Sequence, residues 1–166
     1  MFTDNGHILG SATCNIKIFD KDKTTRIAFT GDIGRYSKRI LREPQKFPQA
    51  DYLIMESTYG DRLHEPIDMS EQKLLDVVNY TCIKKRGKLI IPSFAVGRAQ
   101  EIIFGLNCLW EAHKLPPIDV YVDSPLSLNA TNIFKLHNEC FNDQLKEFMK
   151  QDPDPFGFDK LHYIQS

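Results

Sequence analysis

Three short turns that contain glycine recur about every 25 residues in the first part of the chain, and each carries one polar residue suited to metal or acid–base chemistry. These residues are His7, Asp32 and Glu56, in the strings GHILGSA (6–12), FTGDIGR (29–35) and ESTYGDR (56–62). An apolar or alternating stretch precedes the second and third strings, which predicts that Asp32 and Glu56 stand at the ends of strands. Functional residues are commonly grouped on such strand-end loops.

The residue types in these turns suit a metal ion. An imidazole and a carboxylate are ligands for Zn²⁺ or Mn²⁺, and the glycines beside Asp32 allow positive φ and close backbone approach. Two protein ligands do not hold such an ion by themselves. His7 and Asp32 therefore predict part of a metal site. From the residues alone, a surface histidine and an aspartate that closes a turn remain alternatives.

The first third of the chain predicts a sheet rich in hairpins. Residues 14–19 and 25–30 alternate apolar and polar side chains around the charged turn 20–23, as in an antiparallel hairpin with one solvent-facing side. Residues 52–56 form a short apolar run, which predicts a buried strand. Residues 35–50 carry two prolines and predict an irregular connection.

The remainder of the chain predicts alternating helices and strands. The predicted helices cover 70–86, 97–114, 125–138 and 142–150, and the predicted strands cover 88–91, 118–122 and 160–164. The order of strand and helix after residue 87 favours right-handed crossovers and a largely parallel sheet. The change of pattern predicts an α/β protein that divides near residue 60, into 1–60 and 61–166.

A fourth string, PSFAVGRAQE (92–101), lies between a predicted strand and a predicted helix. It places Ser93 ahead of the helix and Arg98 in its first turn. A helix N-terminus beside an arginine binds phosphate readily, so Ser93 and Arg98 are candidate substrate-binding residues. A turn with a structural role alone would give the same pattern, and the sequence leaves both interpretations open.

A basic run lies close to Asp32 in the sequence. Its cations are Arg35, Lys38, Arg39, Arg42 and Lys46, opposed by Glu43. Such a run would steer a nucleic-acid backbone toward Asp32, or it forms a solvated loop; both interpretations stay open.

The composition of the chain limits the classes of function that it can have. The 166 residues are 42% hydrophobic and 26% charged with a net charge of −1, so any affinity for nucleic acid has to come from a local patch. The four cysteines form no C-x-x-C pair, which favours buried free thiols in a reducing compartment. No apolar run approaches the roughly 20 residues of a membrane helix, and no signal segment is recognisable. We therefore expect no membrane partner and a cytoplasmic location. A dinucleotide-binding or P-loop glycine string is also absent from the sequence.

Five strings, in this order, resemble the signature of the β-CASP branch of the metallo-β-lactamase superfamily, which contains metal-dependent RNA and DNA nucleases. The three glycine turns supply three of the strings, and 92–101 and VDSPL (122–126) supply the others. By this resemblance His7 is a metal ligand and Asp32 bridges two metal ions. Glu56 would lie beside the metals and orient a later histidine that assists protonation of the leaving group.

The resemblance implies a fold and an activity. Residues 1–60 would be part of a metallo-β-lactamase αββα domain, and residues 61–166 part of a β-CASP α/β domain. The implied activity is hydrolysis of RNA phosphodiester bonds with two Zn²⁺ ions in each complete site. The family's His-x-His-x-Asp-His cluster belongs upstream of His7, and two further histidines belong downstream of Ser166. We therefore expect the chain to be an internal segment of such an enzyme.

By itself the chain is expected to be inactive, to bind no stoichiometric zinc, and to expose sheet surface that favours a homo-oligomer or a partner. Two alternative functions stay open. One is a non-catalytic β-CASP scaffold or nucleic-acid-binding module, which the retention of His7, Asp32 and Glu56 disfavours. The other is a small-molecule metallo-hydrolase of the lactamase fold, which the string at 56–62 and the α/β region after it disfavour.

Overall fold

A computed structural model describes residues 1–63 and 70–164 of the chain. The chain divides into two compact units, Met1–Glu65 and Pro66–Ser166. Within the described residues, no helix combines the length and the apolar character needed to cross a membrane. The four cysteines are free and partly buried, so the expectation of fully buried thiols is wrong while that of free thiols is confirmed.

The first unit contains a four-stranded sheet. Its strands are β1 (Phe2–Asp4), β2 (Ala12–Asp20), β3 (Lys23–Phe29) and β4 (Tyr52–Ile54), and they lie side by side in that order. The strands β2 and β3 form the predicted antiparallel hairpin, in register from Cys14 opposite Phe29 to Asp20 opposite Lys23. The strand β4 pairs with β3 in parallel. The ends of β1, β3 and β4 lead into the turns that carry His7, Asp32 and Glu56.

The prediction that residues 52–56 form a buried strand is right for the strand and wrong for its burial. Tyr52, Leu53 and Ile54 are 62%, 48% and 54% exposed. The described residues of this unit include no helix that would cover the sheet, and its buried hydrophobic side chains are Ala28, Ile40 and Leu41. An apolar run predicts that a strand is buried, but burial also requires other parts of the protein to pack against that strand.

Among its described residues, the second unit is built from helices and one parallel pair of strands. The helices are α1 (Ser70–Val78), α2 (Arg98–Glu111), α3 (Pro125–Leu136) and α4 (Asp143–Phe148), and the strands are β5 (Val120–Val122) and β6 (Leu161–Tyr163). A π-helical segment, Asn79–Lys84, continues α1. The strands β5 and β6 are parallel, with Tyr121 opposite His162. The chain is thus an α/β protein; a larger parallel sheet stays a prediction.

Two groups of apolar side chains form the core of the second unit. Leu75 and Val78 of α1 pack with Leu106, Leu109 and Leu115. Around α3, the fully buried Phe156 makes edge-to-face contacts with Phe134 and Phe141, with ring centroids 6.1 Å apart in each pair. On α1 and α2 these buried residues lie three positions apart, on one face of each helix.

The predicted strand at 88–91 is wrong, because these residues pair with no neighbouring strand in the described structure. Ile90 is 84% exposed, so the apolar run here is not a buried one. The end of the preceding helix also differs from expectation. Arg86, the last residue of the helix predicted over 70–86, has φ of 52° and therefore lies outside the helix in a left-handed conformation.

Candidate metal centre

The turn after β1 holds His7 through its backbone. Gly6 has φ of 65°, which turns the chain sharply at the end of the strand. The N–H of His7 donates to Ser11 Oγ at 3.0 Å and to Asn5 Oδ1 at 3.3 Å. The Ser11 hydroxyl in turn donates to the carbonyl oxygen of Ile8 at 2.8 Å. The small residues of the GHILGSA string thus close a compact loop around the histidine.

The turn after β3 presents Asp32 to solvent. Thr30 N–H donates to the Ile54 carbonyl oxygen at 3.0 Å, which extends the pairing of β3 and β4 up to the turn. Gly31 follows with φ of 58°, a left-handed conformation that favours glycine. The side chain of Asp32 is 72% exposed. Gly31 therefore allows the chain to turn, and the Asp32 carboxylate stays exposed to solvent.

The two turns are in direct backbone contact. Gly34 N–H donates to the Asn5 carbonyl oxygen at 2.8 Å, and the buried Asn5 side chain donates from Nδ2 to the Thr30 carbonyl oxygen at 2.8 Å. A Cβ atom on Gly34 would lie 2.1 Å from the Gly6 oxygen. Position 34 therefore requires a glycine, because the two backbones approach too closely for a side chain.

This contact brings the predicted metal ligands together. His7 Nε2 lies 3.8 Å from Asp32 Oδ2, and the His7 side chain is 39% exposed. On the other side of the loop, the Lys38 ammonium donates to the His7 carbonyl oxygen. One imidazole nitrogen and one carboxylate thus face the same open surface. His7 and Asp32 are 25 positions apart in the sequence. They meet because β1 and β3 lie on either side of β2, run in the same direction and finish at the same end of the sheet.

Glu56 supports the Asp32 turn. Its Oε1 accepts a hydrogen bond from Ile33 N–H at 2.6 Å. This bond is the largest cause that lowers the pKa of Glu56, and hydrogen bonding to Thr58 and the nearby His7 act in the same direction. A carboxylate that stays ionised and holds the residue after Asp32 limits the movement of the Asp32 backbone.

The arrangement fits part of a metal site. In the part of the chain that the structure describes, no group of three or more His, Cys, Asp or Glu side chains is placed to hold an ion. His7 and Asp32 supply two donors of suitable chemistry, and Glu56 is engaged with Ile33. The ligand roles of His7 and Asp32, and the expected lack of stoichiometric zinc binding by the chain alone, stay predictions.

Most polar groups described here for the string at 92–101 form hydrogen bonds or ion pairs inside the second unit. Gly97 N–H donates to Gln100 Oε1 at 2.7 Å, and the N–H groups of Arg98 and Ala99 donate to loop carbonyl oxygens at 3.2 Å each. Arg98 also pairs with Glu101 at 3.0 Å. These helix-start donors are already bonded, which favours the structural interpretation of the turn. Phosphate contact by Arg98 and the exposed Ser93 stays a prediction.

Two buried polar residues were missed by the sequence reasoning. Asn5 links the His7 and Asp32 turns, and Gln100 links the start of α2 to Thr131 of α3 through a hydrogen bond of 2.9 Å. Both residues are almost fully buried. A polar residue next to a glycine turn was the available signal, but it does not distinguish a buried amide from a surface one.

Comparisons with known proteins agree with the resemblance. Residues 99–166 match the Beta-Casp domain family. The chain is 34% identical, over 97% of its length, to the endoribonuclease YSH1 of Kluyveromyces lactis, of which it covers 21%. It is 32% identical to the ribonuclease TTHA0252 of Thermus thermophilus, over 93% of this chain and 34% of the relative. It is 34% identical to an RNase J-like protein of Methanocaldococcus jannaschii, over 94% of this chain and 36% of the relative.

These matches show which class of protein the chain resembles. The structure is an α/β protein in which the Beta-Casp match falls within the second unit and a histidine–aspartate pair lies in the first. The family match and the relatives confirm the resemblance to the β-CASP branch of the metallo-β-lactamase superfamily that the sequence strings predicted. It spans between about a fifth and about a third of the length of these relatives. The assignment of residues 1–60 to a partial lactamase domain stays a prediction.

Proposed function

We propose that this chain is part of a metal-dependent ribonuclease and that it supplies His7 and Asp32 to the metal site. The observation that carries the proposal is the 3.8 Å separation of His7 Nε2 and Asp32 Oδ2 on an open surface. The names of the three relatives, all ribonucleases, support RNA as the substrate. The donor types favour Zn²⁺ as the ion.

The residues of the chain would prepare the site in three ways. His7 offers a nitrogen donor and Asp32 an ionised carboxylate, and both are held by loops whose backbones contact each other. Glu56 fixes the Asp32 turn through Ile33 N–H. Bound metal ions would lower the pKa of water and neutralise charge on a phosphodiester. Lys38, beside the His7 carbonyl oxygen, would add positive charge on the path of an RNA backbone.

The protein is also proposed to work in the cytoplasm. The four cysteines are free, which fits a reducing compartment.

Replacing Asp32 tests the proposed function most directly. In a longer protein that contains this chain and cleaves RNA, Asp32→Ala should abolish cleavage and lower metal content, because a bridging carboxylate is lost. The fold should persist, since the side chain is 72% exposed. Asp22→Ala in the exposed hairpin turn is the matched control and should leave cleavage unchanged. Undiminished cleavage by the Asp32 variant, with normal metal content, would remove Asp32 from the mechanism.

Replacing Glu56 separates support of the site from metal ligation. Glu56→Gln keeps an acceptor for Ile33 N–H but removes the charge, so RNA cleavage should fall by about tenfold or more while the metal stays bound. Single-turnover cleavage and elemental analysis of the same samples measure the two quantities. Outright loss of metal would instead make Glu56 a direct ligand and contradict the assignment.

A further inference from the structure

The side chain of Asn5 lies between the two turns that carry the proposed ligands. It is 3% exposed. Its Nδ2 donates to the Thr30 carbonyl oxygen at 2.8 Å, and its Oδ1 accepts from His7 N–H at 3.3 Å. Its backbone oxygen accepts from Gly34 N–H at 2.8 Å. One residue thus bonds to both sides of the Asp32 turn and to the backbone of His7.

Asn5 differs from the other polar groups around the site in what it connects. Ser11 bonds to the backbone of its own loop, at His7 and Ile8. Glu56 bonds to the Asp32 turn, at Ile33. Asn5 alone among these three joins the His7 turn to the Asp32 turn.

A buried amide is suited to this task because it is rigid and offers a donor and an acceptor on one planar group. The donor fixes the Thr30 carbonyl oxygen two residues before Asp32, and the acceptor fixes the backbone N–H of His7. A buried carbonyl oxygen left without its donor is costly, so the turns are held together strongly. Because Gly6 and Gly34 pack backbone to backbone, a small shift at one turn must displace the other.

We propose that Asn5 is a positioning residue that sets the distance between His7 and Asp32. This inference rests on the proposed function, since it gives Asn5 a role in metal binding that is exerted through the two ligands. Asn5 touches neither substrate nor metal; it fixes the backbones from which the imidazole and the carboxylate project.

Two substitutions separate the bonds that Asn5 makes. Asn5→Ala removes both side-chain bonds. Asn5→Asp keeps the acceptor for His7 N–H and the side-chain volume, but it removes the donor to the Thr30 carbonyl oxygen. Asn15→Ala is the matched control, because Asn15 Nδ2 also bonds across β1 and β2, to Met1 and Thr3, away from the His7 turn.

The first measurement uses the 166-residue chain without metal or RNA. Amide hydrogen exchange should be faster at Gly34 in both Asn5 variants, and nuclear Overhauser contacts between the His7 ring and Asp32 should disappear. The amides of β2 and β3 should stay protected, and Asn15→Ala should leave Gly34 protected. Unchanged Gly34 exchange in both Asn5 variants would overturn the proposal. So would loss of protection throughout the hairpin in both variants, because Asn5 would then hold the whole unit and not the ligand distance.

The second measurement uses a longer RNA-cleaving protein that contains the chain. Zn²⁺ affinity should fall by about tenfold or more in both Asn5 variants, with a lower kcat, an unchanged KM for RNA and partial rescue by excess Zn²⁺. Asn15→Ala should change none of these quantities. Unchanged Zn²⁺ affinity in the Asn5 variants would overturn the inference. If the unsubstituted protein bound no metal, the proposed function would fail, while the exchange data would still decide whether Asn5 joins the turns.

Discussion

The two units of the molecule bury different kinds of side chain. Among the described residues of the first unit, three hydrophobic side chains are buried (Ala28, Ile40 and Leu41), beside three polar ones (Asn5, Thr13 and Thr30). The second unit buries a much larger apolar set, with several phenylalanines and leucines from its helices and loops. Its buried polar residues, such as Gln100 and Thr131, join one helix to another.

The difference indicates how each unit holds its geometry. In the second unit, close packing of apolar side chains fixes the helices, and hydrogen bonds add specificity. In the first unit, the relative position of His7 and Asp32 depends on hydrogen bonds and on backbone contact at glycines. A site that must stay open to solvent cannot be held by burying its own functional side chains, so buried polar groups behind it take that role.

Replacing Gly34 should produce the largest effect. A methyl group there would lie 2.1 Å from the Gly6 oxygen, and a backbone cannot yield as a flexible side chain does. We expect Gly34→Ala to lower the free energy of unfolding of the first unit by about 3 kcal/mol. Urea unfolding followed through the amide signals of β2 and β3 measures this quantity.

Gly10→Ala is the control for the Gly34 substitution. Gly10 has φ of 85° but no atom within 4 Å of the added Cβ, so the cost there is backbone strain alone. That strain is worth about 1 kcal/mol. An equal loss of stability in the two variants would mean that backbone contact between the turns contributes little, and the contrast between the units would weaken.

Replacing Gln100 tests the second unit in the same way. Its amide is fully buried and bonds to Gly97 N–H, to the Ala95 carbonyl oxygen and to Thr131 Oγ1. Gln100→Ala removes all three of these bonds, and we expect a loss of about 2 kcal/mol in the free energy of unfolding of this unit. Urea unfolding followed by Trp110 fluorescence measures the loss, because Trp110 packs against Phe158 in this unit.

Gln72→Ala is the matched control in the same unit. Gln72 is exposed and bonds to Asp76 four residues along α1, so its loss should cost less than about 0.5 kcal/mol. If Gln100→Ala cost as little as Gln72→Ala, apolar packing alone would hold the helices. The two units would then differ even more than the structure indicates.

The sequence predicted the local structure well wherever the signal was periodic. Alternation over 14–30 gave the hairpin, and the helices predicted over 70–86 and 97–114 contain α1 and α2. Asp32 and Glu56 follow strands as predicted, whereas the strand β1 before His7 was not predicted; the structure brings His7 and Asp32 to 3.8 Å. In each case the information lies within a few residues of the element it describes.

The predictions from sequence fail where strand pairing or burial depends on residues far away in the sequence. Residues 88–91 have the composition of a strand but find no strand to pair with in the described structure. The run at 52–54 forms a strand whose side chains stay exposed. Asn5 lies next to a glycine turn, but the sequence does not show that it is buried, because its role requires Thr30, which folding of the sheet brings to it. Burial and pairing belong to the tertiary structure, so local patterns do not fix them.

The smallest effect is expected at an exposed contact of the second unit. Asp119 is exposed, and a hydrogen bond with His162 at 3.1 Å is the largest cause that lowers its pKa from 3.8, followed by the charge of Lys160. Because the pKa is lowered on folding, the contact contributes stability above pH 3.8 and loses it as the pH falls through the lowered pKa.

His162→Phe keeps a ring stacked on Tyr121 but removes the hydrogen bond. It should raise the pKa of Asp119 toward 3.8, and Lys160→Gln should raise it less. Carbon-13 NMR titration of the carboxyl group measures both shifts. A larger rise in the Lys160 variant would show that charge, and not the hydrogen bond, governs this contact. This exposed contact would then depend on charge, in contrast to the directed hydrogen bonds that join the turns of the first unit.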